Sequence, residues 1–135
     1  MAALVRLLYP LPDLRRSPLT LLGWWERRRP AYNLIVGTTG LLTVAVVDVI
    51  SALTPGETPR VPLLAVIVYG IAANVCYTLG FAIELLLERL WGSQVAPVGP
   101  VLFRQGLLFS VGVTLLPIGL AWIAWLTKVL QYLFY

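Results

Sequence analysis

Long apolar runs separated by short polar stretches divide the chain into three apolar segments. A helix that crosses the hydrocarbon core of a bilayer needs about 20 mostly apolar residues. Three segments reach that length, at residues 32–53, 61–83 and 105–127. They contain many β-branched residues, but a backbone in hydrocarbon must satisfy its own hydrogen bonds, which favours helices. The pattern therefore predicts an all-α integral membrane protein with three transmembrane helices.

The segment before the first span predicts a short amphipathic helix at the membrane interface. Ser17 suits the N-cap position and Pro18 suits the first helical turn. Leu21, Leu22 and Trp25 then share one face at spacings of three and four residues. We expect this helix to anchor the chain on the inner leaflet. Docking of a soluble partner is the alternative.

Lysine and arginine are distributed unequally between the two sides of the predicted spans, which indicates the orientation of the chain. The N-terminal segment carries six of the ten, and the second loop adds two more. The first loop and the C-terminal tail carry one each, so the ratio is eight to two. This predicts a cytoplasmic N-terminus and an outside C-terminus. Residues 1–30 then form a cytoplasmic and interfacial segment, and residues 31–135 form the three-helix transmembrane domain.

The link between the first two spans is short. Residues 54–60 read TPGETPR, and Pro-Gly suits the two central positions of a type II turn. A connection of this length predicts that the first two spans are antiparallel neighbours.

The composition also favours a membrane protein over a soluble globular domain. The chain is 59% hydrophobic and 12% charged, whereas soluble globular domains carry about 25% charged residues. One cysteine and no histidine leave few of the ligands that haem, zinc and copper usually use. We therefore expect no cofactor and no metal. Nucleotide-binding and nucleophile motifs are missing from the sequence, which predicts that the chain is not an enzyme.

The net charge of +4 is concentrated near the N-terminus. Arg27, Arg28 and Arg29 directly precede the first span, where cations are attracted to anionic lipid headgroups. No folded nucleic-acid-binding module accompanies them. We therefore expect contact with lipid and none with nucleic acid.

Two sets of acidic residues are candidates for chemistry. Asp48 is the only acid within a span, and it lies five residues before Leu53, roughly 7.5 Å along a helix. We expect it to form a hydrogen bond or ion pair near the outer surface; a proton or cation site and a contact to another subunit are the alternatives. Glu84 and Glu88 lie one turn apart, and ion pairing with nearby arginines is favoured over acid–base or metal chemistry.

Small and polar residues recur on one face of each span. Such residues permit close helix approach and hydrogen bonds between helices in lipid. The sequence predicts that the three faces meet and hold the bundle together, with a polar pore lining as the alternative. The predicted contact residues are Gly37 and Gly40 (with Thr43) in the first span, Gly70, Asn74 and Thr78 in the second, and Gly106, Ser110 and Thr114 in the third.

These features favour a structural or accessory subunit of a larger bacterial-type inner-membrane complex. Small size, short loops and an apolar tail at residues 128–135 predict binding to lipids and to other membrane subunits. A hetero-complex is favoured over a homo-oligomer. The alternative is a small homo-oligomeric transporter or channel that uses Asp48 and Asn74. A membrane enzyme acting on lipid is a third hypothesis, and no catalytic set supports it.

Overall fold

The computed structural model describes residues 17–54, 56, 61–91 and 98–134, and within them it contains helices and no strand. Three helical segments are long and apolar enough to cross a membrane, and the first is bent. The predicted all-α fold with three spans is therefore confirmed. The helices are α1 (Pro18–Glu26), α2 (Arg29–Ala52), α3 (Leu63–Trp91) and α4 (Gly99–Phe134).

Helix α1 begins as predicted. The Thr20 backbone N–H donates to the Ser17 side chain at 3.2 Å, and Pro18 occupies the first turn. The helix ends at Glu26, and a turn at residues 27–28 leads into α2. That turn is the bend in the first apolar segment. Part of the apolar face of α1 is buried within the protein and does not face outward. Helix α1 packs on α3, and its Trp25 is only 2% exposed.

Helices α2 and α4 form the most extensive contact of the bundle. They run in the same direction, since Tyr32 bonds to Ser110 and Thr43 bonds to Thr114 further along both helices. Helix α3 runs antiparallel to them; it packs on α4 and contacts α2 only sparsely. Helices α2 and α3 are therefore antiparallel and in contact, as the short first loop predicts, but the more extensive contact of α2 is with α4. A short loop sets the direction of a helix but not the side chains on which it packs.

The first loop is described only in part. Gly56 has a φ of +81°, which is the value required at the third position of a type II turn and is readily adopted by glycine. Pro55 and residues 57–60 lie outside the described residues, as do residues 1–16 of the predicted N-terminal segment.

Candidate functional site

Aromatic side chains from all four helices meet at the α1 end of the bundle. The Trp25 ring lies 5.2 Å from that of Tyr77 and 6.3 Å from that of Phe103, in both cases edge to face. The Tyr32 ring lies 4.7 Å from that of Tyr77. Aromatic pairs at such distances and angles are stabilising beyond the area that they bury. Together with Trp24, which contacts Trp25 and Phe103, these residues form the aromatic cluster.

A buried carboxylate extends the aromatic cluster. Glu84 is 3% exposed; its Oε2 accepts from the Trp25 indole N–H at 2.6 Å, and its Oε1 accepts from the Gly99 backbone N–H at 3.0 Å. One side chain thus joins α1, α3 and the first residue of α4. These bonds could not be read from the spacing of Glu84 and Glu88. Ion pairing of the two acids with arginines stays a prediction.

Two glycines are required by this packing. A Cβ added at Gly80 would lie 2.9 Å from the Trp25 ring, and one added at Gly99 would lie 2.6 Å from both oxygens of Glu84. Real Cβ atoms essentially never approach other atoms so closely. Close approach of Trp25 to α3, and of Glu84 to α4, therefore depends on the absence of a side chain at these positions.

A second set of buried polar groups joins the three spans further along the bundle. The Tyr32 hydroxyl donates to the Ala73 carbonyl at 3.1 Å and bonds to the Ser110 hydroxyl at 2.8 Å. The Tyr69 hydroxyl donates to the Ser110 carbonyl at 3.1 Å and contacts the Thr114 hydroxyl. The Thr43 hydroxyl donates to the Thr114 carbonyl at 2.9 Å. Polar groups at membrane depth must find such partners inside the protein. We call Tyr32, Thr43, Tyr69, Ser110 and Thr114 the hydroxyl cluster.

The predicted contact faces of the first and third spans meet in part. Thr43, Ser110 and Thr114 are buried in the hydroxyl cluster, and a Cβ at Gly40 would lie 3.8 Å from the Thr114 methyl group. Gly37 and Gly106, in contrast, are exposed, and an added Cβ at either would meet nothing within 4 Å.

The predicted contact face of the second span lies on the outside of the bundle, so the prediction that all three faces meet is wrong. Gly70 and Thr78 are exposed, and a Cβ at Gly70 would meet nothing within 4 Å. The Asn74 amide donates to the Gly70 carbonyl at 3.0 Å, and Thr78 donates to the Asn74 carbonyl at 2.9 Å. These bonds stay within α3; Thr78 also accepts from Arg29 Nη2 of α2 at 3.5 Å. We call Gly70, Asn74 and Thr78 the outer stripe; as an interface with another chain it stays a prediction.

A different face of α3 was overlooked in the sequence, although its signal is present there. Residues at spacings of three and four lie on one side of a helix, and this face combines rings, small residues and one acid. It turns inward because the rings and the carboxylate find partners on the other three helices. Its members are Tyr69, Ala73, Tyr77, Gly80 and Glu84.

The three consecutive arginines lie in three different environments. Arg27 is exposed. Arg29 pairs with Glu26 at 2.7 Å. Arg28 is 7% exposed, and its guanidinium lies over the Trp24 ring, 3.7 Å from the ring centroid. Equal charge in the sequence thus corresponds to unequal exposure in the structure.

Asp48 lies near the end of α2 that leads into the first loop. Its Oδ1 accepts from the Val61 backbone N–H at 3.3 Å. This bond ties the end of the first span to the residues just before the second. It is a hydrogen-bonding role of the kind expected for this side chain.

Two concave surfaces are found on α3. A cavity of about 330 Å³ lies beside the aromatic cluster, and its lining includes Tyr77, Phe103 and Ser110. A groove of about 650 Å³ follows the outer stripe and reaches Arg29. Among the described residues, no group of three or more potential metal-ligating side chains is present.

The fold and its buried polar contacts define a multi-pass membrane protein with three helices of spanning length. No protein-family model matches the chain, and searches of curated proteins and of solved structures found no match either. What the chain does must therefore be inferred from its own surfaces and contacts.

Proposed function

We propose that the chain is a structural, accessory subunit of a larger bacterial-type membrane complex, without catalytic activity or a cofactor of its own. The outer stripe is the observation that carries this proposal. Gly70 is exposed and Asn74 is half-buried, and both line the groove on the outside of the bundle. A polar side chain that faces hydrocarbon is costly, whereas a glycine beside it lets a second helix approach closely and form hydrogen bonds. This surface favours contact with a helix of another chain, and we propose a hetero-complex over a homo-oligomer.

The end of α4 offers a second surface for a partner. The helix has 36 residues, which corresponds to about 54 Å, while the hydrocarbon core is about 30 Å thick. Its last residues are apolar and exposed, with Tyr132 at 80%. An apolar helix end that extends beyond the hydrocarbon is stabilised when another subunit covers it.

Purification in a mild detergent tests the proposal. We expect the tagged chain to be recovered together with larger membrane subunits in fixed stoichiometry. Gly70→Leu should release those subunits without unfolding the chain, because the added side chain meets open space. Gly112→Leu is the matched control, since Gly112 is equally open but lies on α4. Recovery of the chain as a homo-oligomer alone would contradict the proposal.

The proposed location is the cytoplasmic membrane, with the N-terminus inside and the C-terminus outside. The eight-to-two distribution of Lys and Arg supports this orientation. A reporter that is active only in the cytosol should be inactive when it is fused after Tyr135. The same reporter fused within the second loop should be active. Activity at the first position would reverse the proposed orientation.

The transporter or channel alternative gains little from the fold. Asp48 lines neither the cavity beside the aromatic cluster nor the groove along the outer stripe. Asn74 lines the groove, on the outside of the bundle. A homo-oligomer whose ion flux is lost in Asp48→Asn would nevertheless favour this alternative over the accessory role.

A further inference from the structure

Three buried nitrogen atoms at the bend between α1 and α2 have no hydrogen-bond partner. They are Nε1 of Trp24 and both Nε and Nη2 of Arg28, and they are the only such buried side-chain atoms in the part of the chain that the structure describes. All three carry N–H donors, and the two side chains are stacked on each other. A buried donor without an acceptor is destabilising, and native proteins contain few of them. Donors alone, gathered in one place, indicate an acceptor-rich ligand.

The neighbouring arginine shows what such a pair of nitrogens binds. Nε and Nη2 of Arg29 donate to one carboxylate oxygen of Glu26, at 3.1 and 2.7 Å. On Arg28, Nη1 donates to the Trp24 carbonyl at 3.0 Å, which leaves the same Nε–Nη2 edge without an acceptor. That edge of the planar guanidinium matches the geometry of carboxylate and phosphate oxygens.

The charges around the bend favour an anion. Arg27 adds an exposed cation, and the amino end of the 24-residue helix α2 contributes the positive end of its dipole. Two acids that contact residues of this region are already engaged. Glu26 pairs with Arg29, and Glu84 accepts from Trp25 and Gly99.

We propose that Arg28 and Trp24 form a binding site for a phosphate group. The Nε–Nη2 edge of Arg28 binds two phosphate oxygens, and the Trp24 indole N–H donates to the same group. A membrane-lipid headgroup and free phosphate both carry this chemistry. The inference goes beyond the proposed accessory role: it develops the contact with lipid headgroups that the sequence predicts for the three arginines, and it does not depend on partner subunits.

The test uses the purified full chain in detergent, without partner subunits, so that its outcome is separate from that of the accessory role. Phosphatidylglycerol is titrated, and diacylglycerol with the same acyl chains serves as the phosphate-free control. In a second arm, sodium phosphate is compared with sodium chloride at equal ionic strength. Binding is measured as the ligand-dependent rise in Tm, because a ligand that binds the folded state stabilises it.

Arg28→Gln is compared with Arg27→Gln, which removes the same charge from the exposed neighbour. We expect Arg28→Gln to weaken phosphatidylglycerol binding about tenfold or more, as the loss of charge-assisted hydrogen bonds predicts. Arg27→Gln should change it less than about threefold, as expected for a surface charge. Diacylglycerol should cause no shift that depends on Arg28.

The two ligand arms identify the source of the phosphate. A shift that depends on Arg28 with both ligands, or with one of them, supports the site and shows which compound it takes. The proposal is overturned if neither ligand binds, if Arg28→Gln binds as well as the native chain, or if both glutamine variants lose binding equally. If Arg28→Gln does not fold, Arg28→Lys replaces it, because lysine keeps the charge but lacks the two-nitrogen edge. Full binding by Arg28→Lys would also overturn the proposal.

Discussion

The two faces of α3 look alike in the sequence and differ in the structure. One carries Gly70, Asn74 and Thr78 and faces outward; the other, with Tyr77 and Gly80 among its members, faces the other helices. Each has a glycine and polar groups at helical spacing. The inward glycine has the Trp25 ring against it, whereas the outward glycine has open space. Large rings and hydrogen-bond partners on neighbouring helices therefore decide which face is buried, and small residues alone do not.

Leucine substitution at Gly80 and at Gly70 should give the largest difference in stability between the two faces. Gly80→Leu forces a side chain into the Trp25 ring, and overpacking of this kind costs roughly 3 kcal/mol or more for so large an addition. Gly70→Leu should change the free energy of unfolding by less than about 0.5 kcal/mol, as for a surface substitution. Unfolding in detergent, followed by circular dichroism, measures both. Equal destabilisation of the two variants would mean that the faces are not distinct.

The buried carboxylate on the inward face gives the next largest expected effect. In Glu84→Gln, one amide oxygen can still accept from Gly99 N–H, but the amide NH₂ then faces the Trp25 N–H. Loss of a charge-assisted hydrogen bond to a buried group costs about 1.5–3 kcal/mol.

The control for this change is Glu26→Gln, which removes the exposed pair with Arg29. Exposed ion pairs contribute about 0–1 kcal/mol, so this variant should lose little stability. A Glu84→Gln variant that unfolds at the same Tm as Glu26→Gln would show that the bonds to Trp25 and Gly99 contribute nothing.

Local features of this fold could be predicted from the sequence. The N-cap at Ser17, the turn glycine at position 56 and the three spans depend on residues close together in the chain, and the structure bears out each of them. The bilayer strengthens the prediction of the spans. An apolar run of about 20 residues must satisfy its backbone hydrogen bonds within itself in hydrocarbon, and it therefore forms a helix in a three-span chain.

Contacts between distant residues could not be predicted in the same way. The sequence predicts Trp25 on the face that anchors α1 to the inner leaflet, yet its indole N–H bonds to Glu84, 59 residues away. Arg28 differs from Arg27 in its burial, its stacking on Trp24 and its hydrogen bond to the Trp24 carbonyl. Hydrophobic periodicity says that a face is apolar or small, but it does not say which helix covers that face. The choice depends on the shapes of side chains that meet only after folding.

The hydroxyl cluster tests the difference between buried and exposed positions with a smaller expected effect on stability. Tyr32→Phe removes the hydroxyl that bonds to the Ala73 carbonyl and Ser110 while keeping the ring in the aromatic cluster. Hydrogen bonds between spanning helices average about 0.6 kcal/mol, with a maximum of about 1.7, so we expect a loss in that range. Tyr132→Phe, at an exposed position, should leave Tm unchanged. If Tyr32→Phe also leaves Tm unchanged, ring packing alone holds the spans together at this point.

Asp48→Asn should have the smallest effect on stability. It tests whether the polarity of this side chain or its specific hydrogen bond stabilises the chain. Asp48 is the only acid in its span, so an account based on polarity alone predicts a large response. Its contact, however, is one hydrogen bond accepted from Val61 N–H at 3.3 Å, and the carboxamide oxygen of asparagine can accept the same bond. We therefore expect a change of less than about 0.5 kcal/mol in the free energy of unfolding. Asp48→Leu, which removes the acceptor and leaves the Val61 N–H without it, should cost more, about 1 kcal/mol. If asparagine destabilises the chain as much as leucine does, the end of α2 requires the negative charge itself. The importance of specific partners over polarity alone, seen on α3, then does not extend to this end of the bundle.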